Sequence, residues 1–142
     1  MLVSSMLLAD NRELYLPVVD DHGVDLIVRT RNYDPTQPAT APEHYEFQEI
    51  QVKSALEDGL FAALKCDNPR PNYWFVFYIK KHDLMWLINS EDLCQMANVQ
   101  GAGVSQNKSG NHVGQYTINL RPTRQIAVKQ PQYHITDFTQ LP

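Results

Sequence analysis

The chain has 142 residues, of which 43% are hydrophobic and 20% are charged, and its formal net charge is −4 at pH 7. A chain of this length fits one domain that buries a hydrophobic core without disulfides or metals. The net negative charge disfavours a protein that coats nucleic acid through bulk charge, although a local basic groove stays compatible with it. Each apolar run is shorter than the ~18 residues that a membrane-spanning helix needs, so we expect no membrane partner.

Two cysteines, Cys66 and Cys94, are too few for a disulfide framework and lack the spacing of a metal-binding pair. We interpret both as reduced thiols, which are typical of a cytoplasmic protein, so a cytoplasmic location is expected. The sequence also has no Gly-rich phosphate loop and no recognisable Ser-His-Asp arrangement. These observations disfavour a small-molecule enzyme.

The pattern of apolar residues predicts a series of strands, after an apolar segment over residues 1–9 that is typical of the end of a helix. Strands are predicted over residues 13–19, 24–31, 45–53, 73–80, 83–89 and 115–120. Loops are predicted over residues 32–44, 66–72 and 101–114. The run over residues 73–80 is apolar on both faces, so its aromatic side chains are expected in the core rather than stacked on bases.

Two places in the sequence have the pattern of a helix start. Ser54 and Glu57 have the spacing of a capping box, which predicts a helix after Ser54. Gly59 weakens this helix, so a strand over residues 59–64 is the alternative. Ser90 is followed by two acidic residues and is predicted to cap a second helix.

The order of these elements predicts the fold class. Strands and helices follow one another without internal repeats, which predicts an α/β (α+β) fold with a mixed β-sheet flanked by helices. We expect a single domain over residues 1–142, with its core at about 13–120 and an irregular or weakly helical tail over 121–142.

The strand predicted over residues 45–53 changes the face that carries its apolar side chains. Tyr45 and Phe47 occupy odd positions, whereas the apolar residues at 50 and 52 occupy even positions. A β-bulge or a change of neighbouring strand would each explain the change. In both cases Glu49, Gln51 and Lys53 share one face near the end of the strand.

A carboxylate lies on the strand that precedes these polar residues. Asp25 is 26 residues before Gln51, so we expect Asp25, Gln51 and Lys53 to converge at one end of the sheet, on adjacent strands. Carboxylate and amide oxygens suit Mg²⁺, which prefers oxygen ligands. A metal there would activate a water for attack on a phosphodiester, and the lysine would stabilise the developing negative charge.

These residues resemble the motif of the PD-(D/E)XK nuclease superfamily. The segment over residues 20–28, followed by residues 49–54, is similar to bacterial members with a D-x-G-x-D strand and a Q-x-K strand. Residues 71–79 and 83–93 are also similar to later elements of that group. The resemblance covers about residues 17–120 and implies a restriction-endonuclease-like core.

The resemblance implies a metal-dependent endonuclease that hydrolyses phosphodiester bonds in DNA, with Mg²⁺ as cofactor and Mn²⁺ as its substitute. Asp25 would bind the metal, Gln51 would occupy the second acidic position, and Lys53 would be the catalytic lysine. Glu49 and Asp21 are further candidate ligands. Because one small core of this kind cuts one strand, cleavage of both strands would imply a homodimer.

Two departures from the superfamily pattern favour a second hypothesis. Gln51 is neutral, and residues 1–9 hold no acid, whereas many relatives carry a glutamate on an N-terminal helix. Both departures lower the negative charge available to a metal. The second hypothesis is a nuclease-fold module without catalysis that binds nucleic acid or a protein partner.

Overall fold

The structure, a computed structural model, describes residues 2–10, 12–18, 23–32, 35–40, 44–121 and 130–142. These ranges form two α-helices, nine β-strands and two short 3-10 turns. The helices are α1 (Leu2–Ala9) and α2 (Ser90–Met96). The strands are β1 (Glu13–Tyr15), β2 (Leu26–Asn32), β3 (His44–Ala55), β4 (Leu60–Leu64), β5 (Tyr73–Ile79), β6 (Leu84–Asn89), β7 (Val104–Gln106), β8 (Tyr116–Asn119) and β9 (His134–Ile135). Neither helix is long and apolar enough to cross a membrane.

Six of the strands form a mixed sheet in the order β1-β2-β3-β5-β6-β9. β3 and β5 pair in parallel, and the other neighbours in this sheet pair antiparallel. The remaining strands form a smaller antiparallel sheet in the order β4-β8-β7. The predicted fold class, a single α+β domain with a mixed sheet flanked by helices, is confirmed.

The six-stranded sheet carries a hydrophobic core on each face. Phe75 and Phe77 are fully buried on one face, among residues of α2 and the smaller sheet. Val76 is fully buried on the other face, in a cluster with Val3 and Leu7 of α1. Successive side chains of β5 therefore enter two different cores, as expected for a strand that is apolar on both faces.

The C-terminal tail is part of the core on the α1 face. Phe138 is fully buried and Leu141 is buried, and both pack in the same cluster as α1. Arg12 donates hydrogen bonds to the carbonyl oxygens of Phe138 at 3.1 Å, Leu141 at 2.8 Å and Pro142 at 2.9 Å. Buried residues thus lie on both sides of the range 13–120 that the sequence assigned to the core.

The helix predicted after Ser54 is wrong, and the alternative strand is correct. Ser54 belongs to β3, where it pairs with Tyr78 of β5, and the next element is β4. The carbonyl oxygen of Gly59 accepts a hydrogen bond from the backbone N–H of Leu120 at 2.7 Å, which holds the start of β4 beside β8. Pairing with a strand distant in sequence outweighs the local capping signal.

The second helix begins where the sequence predicts, but its cap is Asn89 rather than Ser90. The Asn89 side chain accepts a hydrogen bond from the backbone N–H of Glu91 at 2.9 Å. The Ser90 hydroxyl accepts from the backbone N–H of Arg70 and donates to the Arg70 carbonyl oxygen, both at 2.9 Å. Asparagine and serine are both good caps. Asn89 caps this helix, because the Ser90 hydroxyl is already bonded to the backbone of Arg70.

Two further predictions need correction, one about where a strand ends and one about a loop that contains a strand. β1 ends at Tyr15, short of the predicted limit at residue 19. β7 lies inside the loop predicted over residues 101–114, because Val104 pairs with Ile118 of β8. Both strands are short edge strands, which give weak periodic signals in a sequence.

A change of neighbouring strand explains the change of apolar face in β3. The register of β3 with β2 and with β5 is continuous, so no bulge is present. Residues 44–50 pair with β2, whereas residues 49–55 pair with β5. Tyr45 and Phe47 lie beside β2 and are 40% and 48% exposed, and the second half of the strand enters the interior.

We predict that Phe138→Ala lowers the free energy of unfolding by about 3–5 kcal/mol, because it empties a fully buried site in the core. Phe47→Ala is the matched control, since this side chain is 48% exposed and should cost less than about 1 kcal/mol. Urea denaturation followed by circular dichroism measures both. Equal losses for the two variants would contradict the placement of the tail in the core.

Candidate active site

β2 and β3 separate at Asp25, and this fork is the candidate active site. The last residue pair of the ladder is Leu26 with Ile50, and the backbone N–H of Asp25 donates to the carbonyl oxygen of Ile50 at 2.8 Å. β3 continues for five more residues, 51–55, with β5 as its neighbour. Among the described residues, no strand pairs with the β2-facing edge of β3 beyond residue 50.

At the fork, the Asp25 carboxylate accepts a backbone hydrogen bond from β3 that a neighbouring strand would otherwise accept. Its Oδ2 accepts a hydrogen bond from the backbone N–H of Val52 at 2.6 Å. Val52 lies between Gln51 and Lys53 in the sequence, so this hydrogen bond holds the carboxylate at the part of β3 that carries both residues. No second donor from the described part of the chain contacts the carboxylate, which leaves Oδ1 open to a ligand.

The side chain of Gln51 is held in one orientation by its surroundings. It is only 6% exposed, and its Oε1 accepts a hydrogen bond from the Tyr73 hydroxyl at 3.1 Å. Its Nε2 packs against Gly23, where an added Cβ would lie 2.5 Å from that nitrogen. Gly23 also has a φ of +71°, so both the turn and the contact favour glycine. Tyr73 is buried, and this burial is the main reason that its pKa is raised to about 12, which keeps the hydroxyl a donor.

Glu49 is engaged by an arginine rather than directed at Asp25. Arg70 donates from Nε to Glu49 Oε2 at 2.8 Å, and its Nη2 contacts the same oxygen. The guanidinium also lies over the ring of Tyr73, with 4.6 Å between its central carbon and the ring centre. Arg70 thus neutralises Glu49 and supports the phenol that holds Gln51.

Lys53 supplies a positive charge at the fork. It is half-buried and lies on the same face of β3 as Gln51, opposite Phe77 of β5. Among the residues that the structure describes, no carboxylate forms an ion pair with it.

The structure places the Asp25 carboxylate on the backbone of β3 at Val52, between Gln51 and Lys53 in the sequence, and it places Glu49 on the same strand in contact with Arg70. Asp21, the remaining candidate ligand, lies outside the described residues. The roles of these five residues in binding and catalysis stay predictions.

Sequence reasoning missed two residues of the site. Tyr73 was assigned to the core, which is correct for its ring, but its hydroxyl binds Gln51. Arg70 lies in a predicted loop, and its position is set by the hydrogen bonds between its backbone and Ser90. Two features of the sequence could have indicated them. Tyr73 brings a hydroxyl group into an otherwise apolar strand, and Arg70 is the one cationic residue in the predicted loop over residues 66–72.

The donors at the fork fit a hard divalent cation that completes its shell with other ligands. Asp25 offers one carboxylate oxygen, and the amide oxygen of Gln51 has a second lone pair beyond the one that Tyr73 uses. Mg²⁺ is often bound by one or two carboxylates together with waters and substrate phosphates. The described residues contain no cluster of three or more acidic, histidine or cysteine side chains that could hold a metal alone.

A cavity of about 480 Å³ adjoins Asp25 on the side of the sheet that α1 covers. Its polar lining comes from Ser4 of α1, Ser54 of β3 and Lys80 after β5. The Ser4 hydroxyl is buried and has no hydrogen-bond partner in the described part of the chain. The volume falls in the range of small-ligand pockets, roughly 300–1,000 Å³.

Comparisons with known proteins support the fold rather than a particular activity. No protein-family model matches the chain, and no curated protein sequence matches it. The structure is similar to that of a bacterial homing endonuclease, I-Ssp6803I, with a TM-score of 0.52 and 14% sequence identity over 92% of this chain and 80% of that chain. The chain therefore shares the overall fold of that structure. At this identity the similarity concerns the fold alone.

We predict that Tyr73→Phe lowers the free energy of unfolding by about 1–2 kcal/mol, because it leaves the buried amide oxygen of Gln51 without its donor. Tyr133→Phe is the control, since the Tyr133 hydroxyl has no hydrogen bond within the described ranges. Urea unfolding of both variants is the measurement. A Tyr73→Phe variant as stable as the wild type would contradict the role given to this hydroxyl.

Proposed function

We propose that this protein is a metal-dependent endonuclease of the PD-(D/E)XK type, which hydrolyses phosphodiester bonds in DNA. The observation that carries the proposal is the Asp25 carboxylate, held 2.6 Å from the Val52 N–H at the fork, with Gln51 and Lys53 on either side of that contact. The similarity of the fold to a homing endonuclease supports a nucleic acid as the substrate class.

Asp25 and Gln51 would hold Mg²⁺, or Mn²⁺ as its substitute, and Asp21 is proposed as a further ligand. When bound, the metal would neutralise charge on the phosphate and lower the pKa of an attacking water. Tyr73 holds the amide group of Gln51 in place for this contact. Glu49 would contribute indirectly, because its carboxylate fixes Arg70 over the ring of Tyr73.

Lys53 would bind the phosphate and stabilise the negative charge that develops during hydrolysis. Its ammonium group has no carboxylate partner in the described part of the chain, so its charge is available to the substrate. An electrostatic contact of this kind typically contributes about 10²–10³ in rate. Lys53 is therefore the residue on which the rate should depend most directly.

A second candidate function is a nuclease-fold module that binds nucleic acid or a protein partner without cutting DNA. The observation that favours it is the state of the two acidic positions on β3, since Gln51 is neutral and Glu49 is paired with Arg70. The fork then has one available carboxylate in the described ranges, which weakens metal binding.

We predict that Lys53→Ala lowers the rate of Mg²⁺-dependent cleavage by about 10²–10³, because it removes the charge that stabilises the transition state. Lys65→Ala removes an exposed lysine elsewhere and should leave the rate unchanged. A plasmid or branched-DNA cleavage assay at saturating Mg²⁺ measures both, with circular dichroism as the check on folding. Equal rates for Lys53→Ala and Lys65→Ala would contradict the role of Lys53.

Asp25→Asn and Gln51→Glu test the metal site in opposite directions. The asparagine side chain of the first variant can still accept from the Val52 N–H, so we expect a folded protein that binds Mn²⁺ weakly and recovers part of its cleavage at high Mg²⁺, unlike Lys53→Ala. Gln51→Glu restores an acidic pair and should bind Mn²⁺ more tightly, as a thermal-shift titration would show. A wild-type protein that neither binds Mn²⁺ nor cuts any form of DNA would leave the second candidate function.

A further inference from the structure

The two cysteines lie in contact although 28 residues separate them in the sequence. The Sγ atom of Cys94 is 3.4 Å from the Sγ atom of Cys66, and neither is in a disulfide. A disulfide needs a sulfur separation of about 2.0 Å, which is about 1.4 Å less. Cys66 lies in the loop between β4 and β5, and Cys94 lies on α2.

The two thiols differ in their access to solvent. Cys66 is 7% exposed, and its thiol faces the carbonyl oxygen of Ser90 at 3.9 Å. Cys94 is only half-buried and lines an open cavity of about 450 Å³ together with Gln106 and Lys108. A small oxidant can therefore reach Cys94 from the solvent, whereas Cys66 lies behind it.

The environment also gives the two thiols different chemical roles. Burial raises the pKa of Cys66 to about 12, so Cys66 stays a protonated thiol at neutral pH. Because Cys66 is buried and Cys94 lines the open cavity, the first reaction with an oxidant falls to Cys94. Tyr116 lines the same cavity as Cys94.

We propose that Cys66 and Cys94 form a peroxide-sensitive thiol pair that closes reversibly to a disulfide. The Cys94 thiolate attacks one oxygen of hydrogen peroxide, which breaks the O–O bond, gives a sulfenic acid and, after protonation, releases water. The Cys66 sulfur then attacks the sulfur of the sulfenic acid, the S–S bond forms, and the OH group leaves with the Cys66 proton as a second water. Two thiols are oxidised by two electrons, and one peroxide is reduced to two waters.

The thiol pair is connected to the fork through Ser90 and Arg70. The Ser90 carbonyl oxygen contacts Cys66, and the Ser90 hydroxyl holds the backbone of Arg70 on both sides. Arg70 in turn engages Glu49 and lies over Tyr73. Closure of the disulfide shifts Cys66 towards α2 and acts on the loop that presents Arg70. An effect on DNA cleavage would rest on the proposed function, but formation of the disulfide does not.

The test treats the reduced full-length chain with stoichiometric hydrogen peroxide and then measures intact mass and free thiols. We expect loss of two hydrogen atoms, about 2 Da, loss of both free thiols within a monomer, and recovery of both with dithiothreitol. Two free thiols after treatment, or thiols lost only through dimers on a non-reducing gel, would overturn the proposal. Neither readout depends on nuclease activity.

Single-cysteine variants test the order of the two reactions. Cys66→Ala should stop at a sulfenic acid on Cys94, which dimedone traps as a stable adduct. Cys94→Ala should leave Cys66 unreacted, because its thiol is buried and protonated. A Cys94→Ala variant that oxidises as fast as the wild type would overturn the assignment of Cys94 as the first site. The wild-type mass measurement decides the disulfide even if a variant fails to fold.

Discussion

β3 pairs with β2 on one edge over its first half and with β5 on the other edge over its second half, and the hydrogen bond from the Val52 N–H to the Asp25 carboxylate lies where the pairing with β2 ends. A β-strand that loses its neighbour leaves backbone groups unpaired, and a buried unpaired group is unfavourable. The Asp25 carboxylate satisfies one of these groups. The same hydrogen bond therefore completes the sheet and holds an acid beside Gln51 and Lys53. Both the edge of the sheet and the proposed site therefore depend on the Asp25 side chain.

Around the fork, contacts within the protein already engage several of the polar side chains that could bind a ligand. Arg70 forms an ion pair with Glu49, and the Tyr73 hydroxyl donates a hydrogen bond to the side-chain oxygen of Gln51. Within the described ranges, the groups that keep capacity for a ligand include one carboxylate oxygen of Asp25, the second lone pair of the Gln51 amide oxygen and the ammonium group of Lys53. This small set suits a cation that brings its own waters and phosphate oxygens, because a closed protein cage for a metal needs more acidic ligands.

The parts of the fold that the sequence predicts well are those with a strong local signal. The alternation of apolar residues located β2 and β3, and the apolar run located β5, because buried faces impose a period of two on a strand. For β4 the sequence predicts a helix with a strand over residues 59–64 as the alternative, because the partner strand β8 is more than 50 residues away and leaves no mark on the local pattern. For the site, Asp25 and Lys53 follow from strand positions, whereas the pairing of Glu49 with Arg70 depends on a loop conformation fixed by Ser90. Side-chain partners that come from loops cannot be read from periodicity.

The insertion of β4 between the parallel strands β3 and β5 has a consequence for how the chain folds. β3, β5 and β6 follow one another closely and can pair early, because their contacts are near in sequence. β4 does not join this sheet but pairs with β8. Phe61 therefore has no partner strand until Ile118 has been synthesised. During translation, the hydrophobic side chains of β4 can therefore contact other chains until the ribosome has added β8. The smaller sheet thus assembles only after β8 has been synthesised, and slow synthesis across residues 65–115 would lengthen the period in which β4 is without its partner strand.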